Sequence, residues 1–137
     1  MVKELDIAAV KENLDAVLQF VGEQLENTDC SPKTQMQIEL AVEELFINIA
    51  SYAYYPEIGN AIVRMEIKPE QQEIFITFID HGIPYNPLAT ADPDVTLPLA
   101  QRKIGGLGIF LVKKNMDDIC YEYVNGSNVL TIIKTFK

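Results

Sequence analysis

Apolar residues recur at Val10, Leu14, Val17, Leu18, Val21 and Leu25, a spacing that predicts an amphipathic helix from about Ile7 to Glu26. Its opposite side carries Lys11, Glu12, Gln19 and Glu23. Ser31 before Pro32 marks a second helix start, with a hydroxyl able to cap and proline tolerated at the first helical position. That helix is expected to run from Pro32 to about Ala53, with apolar residues on nearly every side, and to end at Tyr54, Tyr55, Pro56 and Gly59. Alternation then replaces helical spacing. Ala61 to Lys68 and Glu73 to Asp80 are predicted to be strands joined at Pro69 to Gln71. From Leu88 to Ile104 the chain has prolines and aspartates without periodicity, and a loop this long in a small domain is expected to be functional, here a lid. Leu107 to Met116 is predicted as a short helix. Ile119 to Val124 and Asn128 to Phe136 are predicted as strands around an Asn125-Gly126 turn.

This order of elements predicts an α+β fold, a two-layer sandwich with helices on one face of a mixed, mostly antiparallel sheet. With 137 residues, 48% of them hydrophobic, the expectation is one domain over residues 1–137. The 11 basic and 20 acidic residues give a net charge of -9, which argues against nucleic acid as a partner. A polyanionic ligand must then be held by local amides, a metal and a few cations. No apolar run approaches the roughly 20 residues of a membrane span, and the N-terminus has no apolar signal region, so a cytoplasmic protein with no membrane partner is expected. Cys30 and Cys120 are expected to be free thiols. His81 is the sole histidine, which excludes a histidine-based triad or histidine-rich metal site built from this chain alone.

Three segments carry candidate chemistry. In Glu44-Leu-Phe-Ile-Asn48 the carboxylate and the amide lie four apart on one helical face, in surroundings that penalise an unpaired polar group. A desolvated glutamate can accept a proton as general base, and the asparagine oxygen is a hard ligand suited to magnesium. In Asp80-His-Gly82-Ile-Pro84-Tyr-Asn-Pro87 the aspartate continues the apolar row Ile74, Ile76 and Phe78, which predicts its burial at a strand end. Such a carboxylate can accept a hydrogen bond from the amine of adenine, while Gly82 permits close approach. Gly105-Gly-Leu-Gly108 stands at the mouth of an apolar helix, where unpaired N–H groups and the helix dipole favour phosphate, with Arg102 and Lys103 upstream. It is not a Walker A loop. Each segment alone is also compatible with ordinary helix, turn or hinge structure. The tyrosines at 52, 54 and 55 are expected to pack at a helix end, and His81 to matter through its backbone.

In this order the three segments resemble the N, G1 and G2 boxes of the GHKL ATPase superfamily, which includes DNA gyrase and the sensor histidine kinases. Asp80 to Pro87, Asp92 to Pro98, Gly105 to Val112 and Gly126 to Lys134 further resemble the anti-sigma factor serine/threonine kinases, strongest from Glu39 to Lys134. The resemblance implies a Bergerat-type ATP-binding fold in which Glu44 is the general base and Asn48 the magnesium ligand. Asp80, Gly82 and Pro84 would form the adenine turn, Lys103 with Gly105, Gly106, Leu107 and Gly108 the phosphate site, and Asn128 a further approach to adenine. It implies a kinase of a STAS-domain anti-sigma factor antagonist, able to hold a sigma factor inactive, and commonly homodimeric. A nucleotide-gated binding module of the same fold is the alternative, distinguished by whether Glu44 is needed. The chain departs from its relatives at Tyr52 and Phe110, where histidines are frequent, and at Tyr85-Asn86, where Phe-Asp is common.

Overall fold

The computed structural model describes residues 2–89 and 106–136. A five-stranded sheet carries three helices on one face. The strands are β1 (Val2–Ala8), β2 (Asn60–Lys68), β3 (Glu73–Asp80), β4 (Asp118–Val124) and β5 (Ser127–Thr135), in the order β1-β2-β3-β5-β4. Every neighbouring pair is antiparallel. The helices are α1 (Leu14–Leu25), α2 (Pro32–Asn48) and α3 (Gly106–Asn115). The anticipated lid lies outside the described residues apart from its first two, Leu88 and Ala89, which close a short 3-10 turn that begins at Pro87. No helix of the described residues is long and apolar enough to cross a membrane.

The N-terminal segment corrects the sequence reading. Residues 2–8 form an edge strand that takes in Ile7 and Ala8, expected as the start of the helix, and Val10 is extended ahead of a 3-10 turn at Lys11–Asn13. Leu5 and Ile7 alternate with charged neighbours, but five residues of this pattern are too few to outweigh the longer helical stripe that follows. Long-range pairing decides the matter: Arg64 forms an ion pair with Glu4, and Asn60 donates to Asp6 Oδ1 at 3.1 Å. Helix α1 therefore begins at Leu14 and buries Val17, Val21 and Leu25.

The start of α2 is as expected. Ser31 Oγ accepts from the Thr34 N–H at 3.1 Å, with Pro32 in the first turn. Its buried stripe is Ile38, Ala41, Val42, Leu45 and Phe46, an i, i+3, i+4, i+7, i+8 series that faces the sheet. The helix is not buried on every side, however: Met36 and Leu40 are exposed. After Asn48 the coil widens into a π-helical turn over Ile49–Ala53, a local form that recurs at functional sites.

The core is the layer between helices and sheet, where Val42, Phe46, Ile109 and Val112 meet Val63, Met65, Ile76, Phe78 and Ile132. Strand β3 alternates half-buried and buried residues along its whole length and ends on buried Asp80. Asn125 and Gly126, at φ 52° and 79°, close the β4–β5 hairpin in the left-handed region that Asn-Gly tolerates. That hairpin places Asn128 directly opposite Asp80. Phe46 is fully enclosed at the helix–sheet interface, so Phe46→Ala is expected to cost about 3–5 kcal/mol of stability. A urea titration checks this; a loss below about 1 kcal/mol would contradict the packing described.

Candidate functional site

Helix α2 and its π-helical extension touch both of the other candidate segments, each time at a glycine. At the helix, a Cβ on Gly108 would lie 1.7 Å from Glu44 Oε1, so the carboxylate holds its place against the first turn of α3 because that position has no side chain. At the extension, a Cβ on Gly82 would lie 2.1 Å from the Ala53 carbonyl oxygen, and the Ile83 N–H donates to that oxygen at 2.9 Å. Gly82 thus has a packing reason beyond ligand approach. From residue 44 to residue 53 the helix rises roughly 13 Å. An elongated ligand can therefore have one end at the β3 turn and the other at the mouth of α3.

Glu44 is half-buried beside Asn48, as the four-residue spacing requires. Desolvation pushes its pKa above the ordinary carboxylate value of 4.5; a hydrogen bond from the Asn48 side chain opposes this, and the negative charge of Glu43 adds to it. An Asn48 amide that donates its N–H to Glu44 keeps a carbonyl oxygen for another partner. That hard oxygen fits magnesium, and no group of three or more His, Cys, Asp or Glu side chains is poised to hold a metal among the described residues. Beside Glu44 opens a cleft lined by Leu14, Leu40, Gly108, Leu111 and Val112.

At the other end, Asp80 is buried as the strand alternation predicts, and it has a buried polar partner in Asn128. Asp80 Oδ1 accepts from the Gly82 N–H at 2.9 Å and from Asn128 Nδ2 at 2.9 Å. Asn128 Nδ2 also donates to the Ile83 carbonyl at 2.8 Å, while its Oδ1 accepts from the Tyr85 N–H at 3.1 Å and from the Tyr121 hydroxyl. All of its hydrogen-bonding capacity is engaged within the chain, so it braces the turn rather than offering a free group. Pro84 is exposed on that turn.

Sequence patterns did not reveal the braces. Tyr54 closes its ring over Gly59, donates its hydroxyl proton to the Asn60 carbonyl at 2.6 Å and accepts from the His81 N–H at 2.8 Å. Its expected helix-end packing is present, but the hydroxyl also ties α2 to the β3 turn. Tyr52 and Tyr55 stay exposed. His81, expected to matter through its backbone, also bonds through its ring Nδ1 with Ser127 Oγ at 2.8 Å. Only the strand order could have pointed to Tyr121. Lys103 and Gly105 lie outside the described residues; the backbone of Gly106 and Leu107 forms the first turn of α3.

The family model for the histidine kinase-like ATPase domain matches residues 7–134, nearly the whole chain. The chain belongs to the histidine kinase-like ATPase family. Membership implies ATP as the ligand. This ATPase domain is 26% identical over 103 residues to the serine/threonine-protein kinase BtrW of Bordetella bronchiseptica, covering 74% of this chain and 71% of that protein. It is 26% identical over 97 residues to the serine-protein kinase RsbW of Bacillus mycoides, covering 68% of this chain and 59% of the relative. Among solved structures it resembles the RsbU and RsbW domains of a Mycobacterium tuberculosis protein, with a TM-score of 0.67 and 13% identity over 97% of this chain and 32% of the other. That likeness supports the two-layer ATPase fold.

The environment of Glu44 makes a signed prediction. A carboxyl whose folded pKa is raised stabilises the fold fully below its unfolded pKa and loses that contribution as pH rises through the folded value. Glu44→Gln is therefore expected to increase stability at pH 7. Carboxyl carbon NMR should place the Glu44 midpoint above 4.5, and Glu43→Gln should lower it. A midpoint at or below 4.5 would contradict the desolvation described.

Proposed function

We propose that this domain is a Mg-ATP-dependent serine/threonine protein kinase, that it phosphorylates a STAS-domain anti-sigma factor antagonist, and that it holds a sigma factor in a partner-switching circuit as a homodimer. The observation that carries the catalytic part is the Glu44 carboxyl, desolvated, beside Asn48 and directly over Gly108. The kinase names of BtrW and RsbW support the reaction class, and the resemblance to anti-sigma factor kinases supplies the partners.

In this reading Asp80 receives the adenine amine, the N–H groups at the start of α3, from Gly106 to Gly108, receive phosphate oxygens, and Asn48 gives its side-chain oxygen to magnesium. When bound, the ion offsets negative charge on the phosphates. Glu44 takes the proton of a serine or threonine hydroxyl as that oxygen bonds to the γ-phosphorus; the bond to the bridging oxygen breaks and ADP leaves. Raised proton affinity suits Glu44 to this work, since desolvation makes it hold a proton more readily than an exposed carboxylate. Net charge of -9 accords with a circuit of protein partners rather than nucleic acid.

The direct test is incubation with magnesium and γ-labelled ATP in a lysate of the source organism, beside the Glu44→Ala variant. One small labelled STAS-domain protein is expected with the wild type, and transfer lower by roughly 10²-fold or more in the variant, with ATP binding retained. Binding of ATP without any label would replace the kinase with a nucleotide-gated binding module. Asp80→Asn is expected to weaken ATP binding strongly by removing the charged acceptor. Near-unchanged affinity in a calorimetric titration would remove the base from this turn.

A further inference from the structure

Residues 81–85, the turn after β3, have no backbone donor to give. His81 N–H is taken by the Tyr54 hydroxyl at 2.8 Å, Gly82 N–H by Asp80 Oδ1 at 2.9 Å, Ile83 N–H by the Ala53 carbonyl at 2.9 Å and Tyr85 N–H by Asn128 Oδ1 at 3.1 Å. Residue 84 is proline and has none. A base seated here is therefore recognised through acceptors on this turn, of which Asp80 is the charged one.

Asp80 does not present both of its oxygens. Oδ1 already accepts two hydrogen bonds, and none engages Oδ2 among the described residues. The arrangement is held by Asn128, whose amide has a single satisfactory orientation: Nδ2 toward Asp80 Oδ1 and the Ile83 carbonyl, Oδ1 toward the Tyr85 N–H and the Tyr121 hydroxyl. Inverting the amide would set its donors against the Tyr85 N–H and its acceptor against two oxygens.

We infer that Asn128, locked by the Tyr121 hydroxyl, is a specificity-determining positioning residue that makes Asp80 a one-oxygen acceptor and so selects adenine over guanine. This rests on the reading of residues 80–85 as the base site. An adenine presents one exocyclic amine, which a single free oxygen satisfies. Guanine's adjacent ring N–H and amine are matched by two free carboxylate oxygens, and a 6-oxo purine in adenine's pose sets its carbonyl against the carboxylate. Asn128 touches no ligand in this scheme; it withdraws Oδ1 from the site. Tyr121 reaches it from the edge strand β4, two residues from Tyr123, which pairs with Asn128 across the sheet.

The test measures equilibrium dissociation constants for ATP, GTP and inosine triphosphate with the wild type, Asn128→Ala and Tyr121→Phe, beside thermal melts of each apo protein. The wild type is expected to prefer ATP over both others. Asn128→Ala should reduce the ATP-to-GTP preference by about tenfold, the effect of one hydrogen-bonding site made available, and Tyr121→Phe should shift it in the same direction by less. A folded variant that binds ATP with the wild-type preference, or that weakens all three nucleotides equally, would overturn the inference and leave a purely structural role. Should Asn128→Ala fail to fold, the Tyr121→Phe preference decides. A wild type that binds no ATP would instead overturn the base-site reading, and this inference with it.

Discussion

The site depends on one helix making backbone-close contact at two places. Helix α2 holds its register on the sheet through Ile38, Val42, Leu45 and Phe46, and its far side and its end are then fixed in space. Gly108 lets α3 come onto Glu44, and Gly82 lets the β3 turn come onto the Ala53 carbonyl. A side chain at Gly82 would collide with the Ala53 backbone, which cannot easily yield, and one at Gly108 would displace the Glu44 carboxylate from its place. The core sets the position of α2, and the two glycines transfer that position to the chemistry.

The two ends of the site use different physics. Around Glu44 the polar groups are few and partly desolvated, so the protein leaves a carboxyl with raised proton affinity. Around Asp80 they are many and mutually satisfied: Tyr54, Asn128 and the Ala53 carbonyl consume the donors of the turn. Satisfied networks of this kind are rigid because any one rearrangement leaves another buried group without a partner. A reactive group at one end and a rigid recognition surface at the other suit a domain that grips a base and acts on a phosphate.

Much of this was legible in the sequence because it rests on short-range rules. The Ser31-Pro32 start, the alternation that buries Asp80, the Asn125-Gly126 turn and the shared face of Glu44 and Asn48 are all local. The failures are equally physical. Strand β1 owes its existence to pairing with β2, some fifty residues away, and its own pattern is too short to compete with the stripe of α1. The exposure of Leu40 follows from which side of α2 the sheet occupies, which its near-uniform apolar composition concealed. Tyr54 and Tyr121 became visible as site residues only once the strand order brought Asp80 beside Asn128, since a hydroxyl's partner carries no sequence period.

In the proposed function α2 spans the ligand, with the base at the Gly82 turn and the terminal phosphate at the Glu44–Gly108 contact. Backbone amide NMR of the wild type titrated first with adenosine and then with magnesium and ATP tests it most directly. Adenosine is predicted to move resonances of residues 80–85 and 128 while leaving 44, 48 and 106–108 in place, and Mg-ATP to move both sets. Shifts at residues 44 and 106–108 with adenosine alone, or none there with Mg-ATP, would contradict the account.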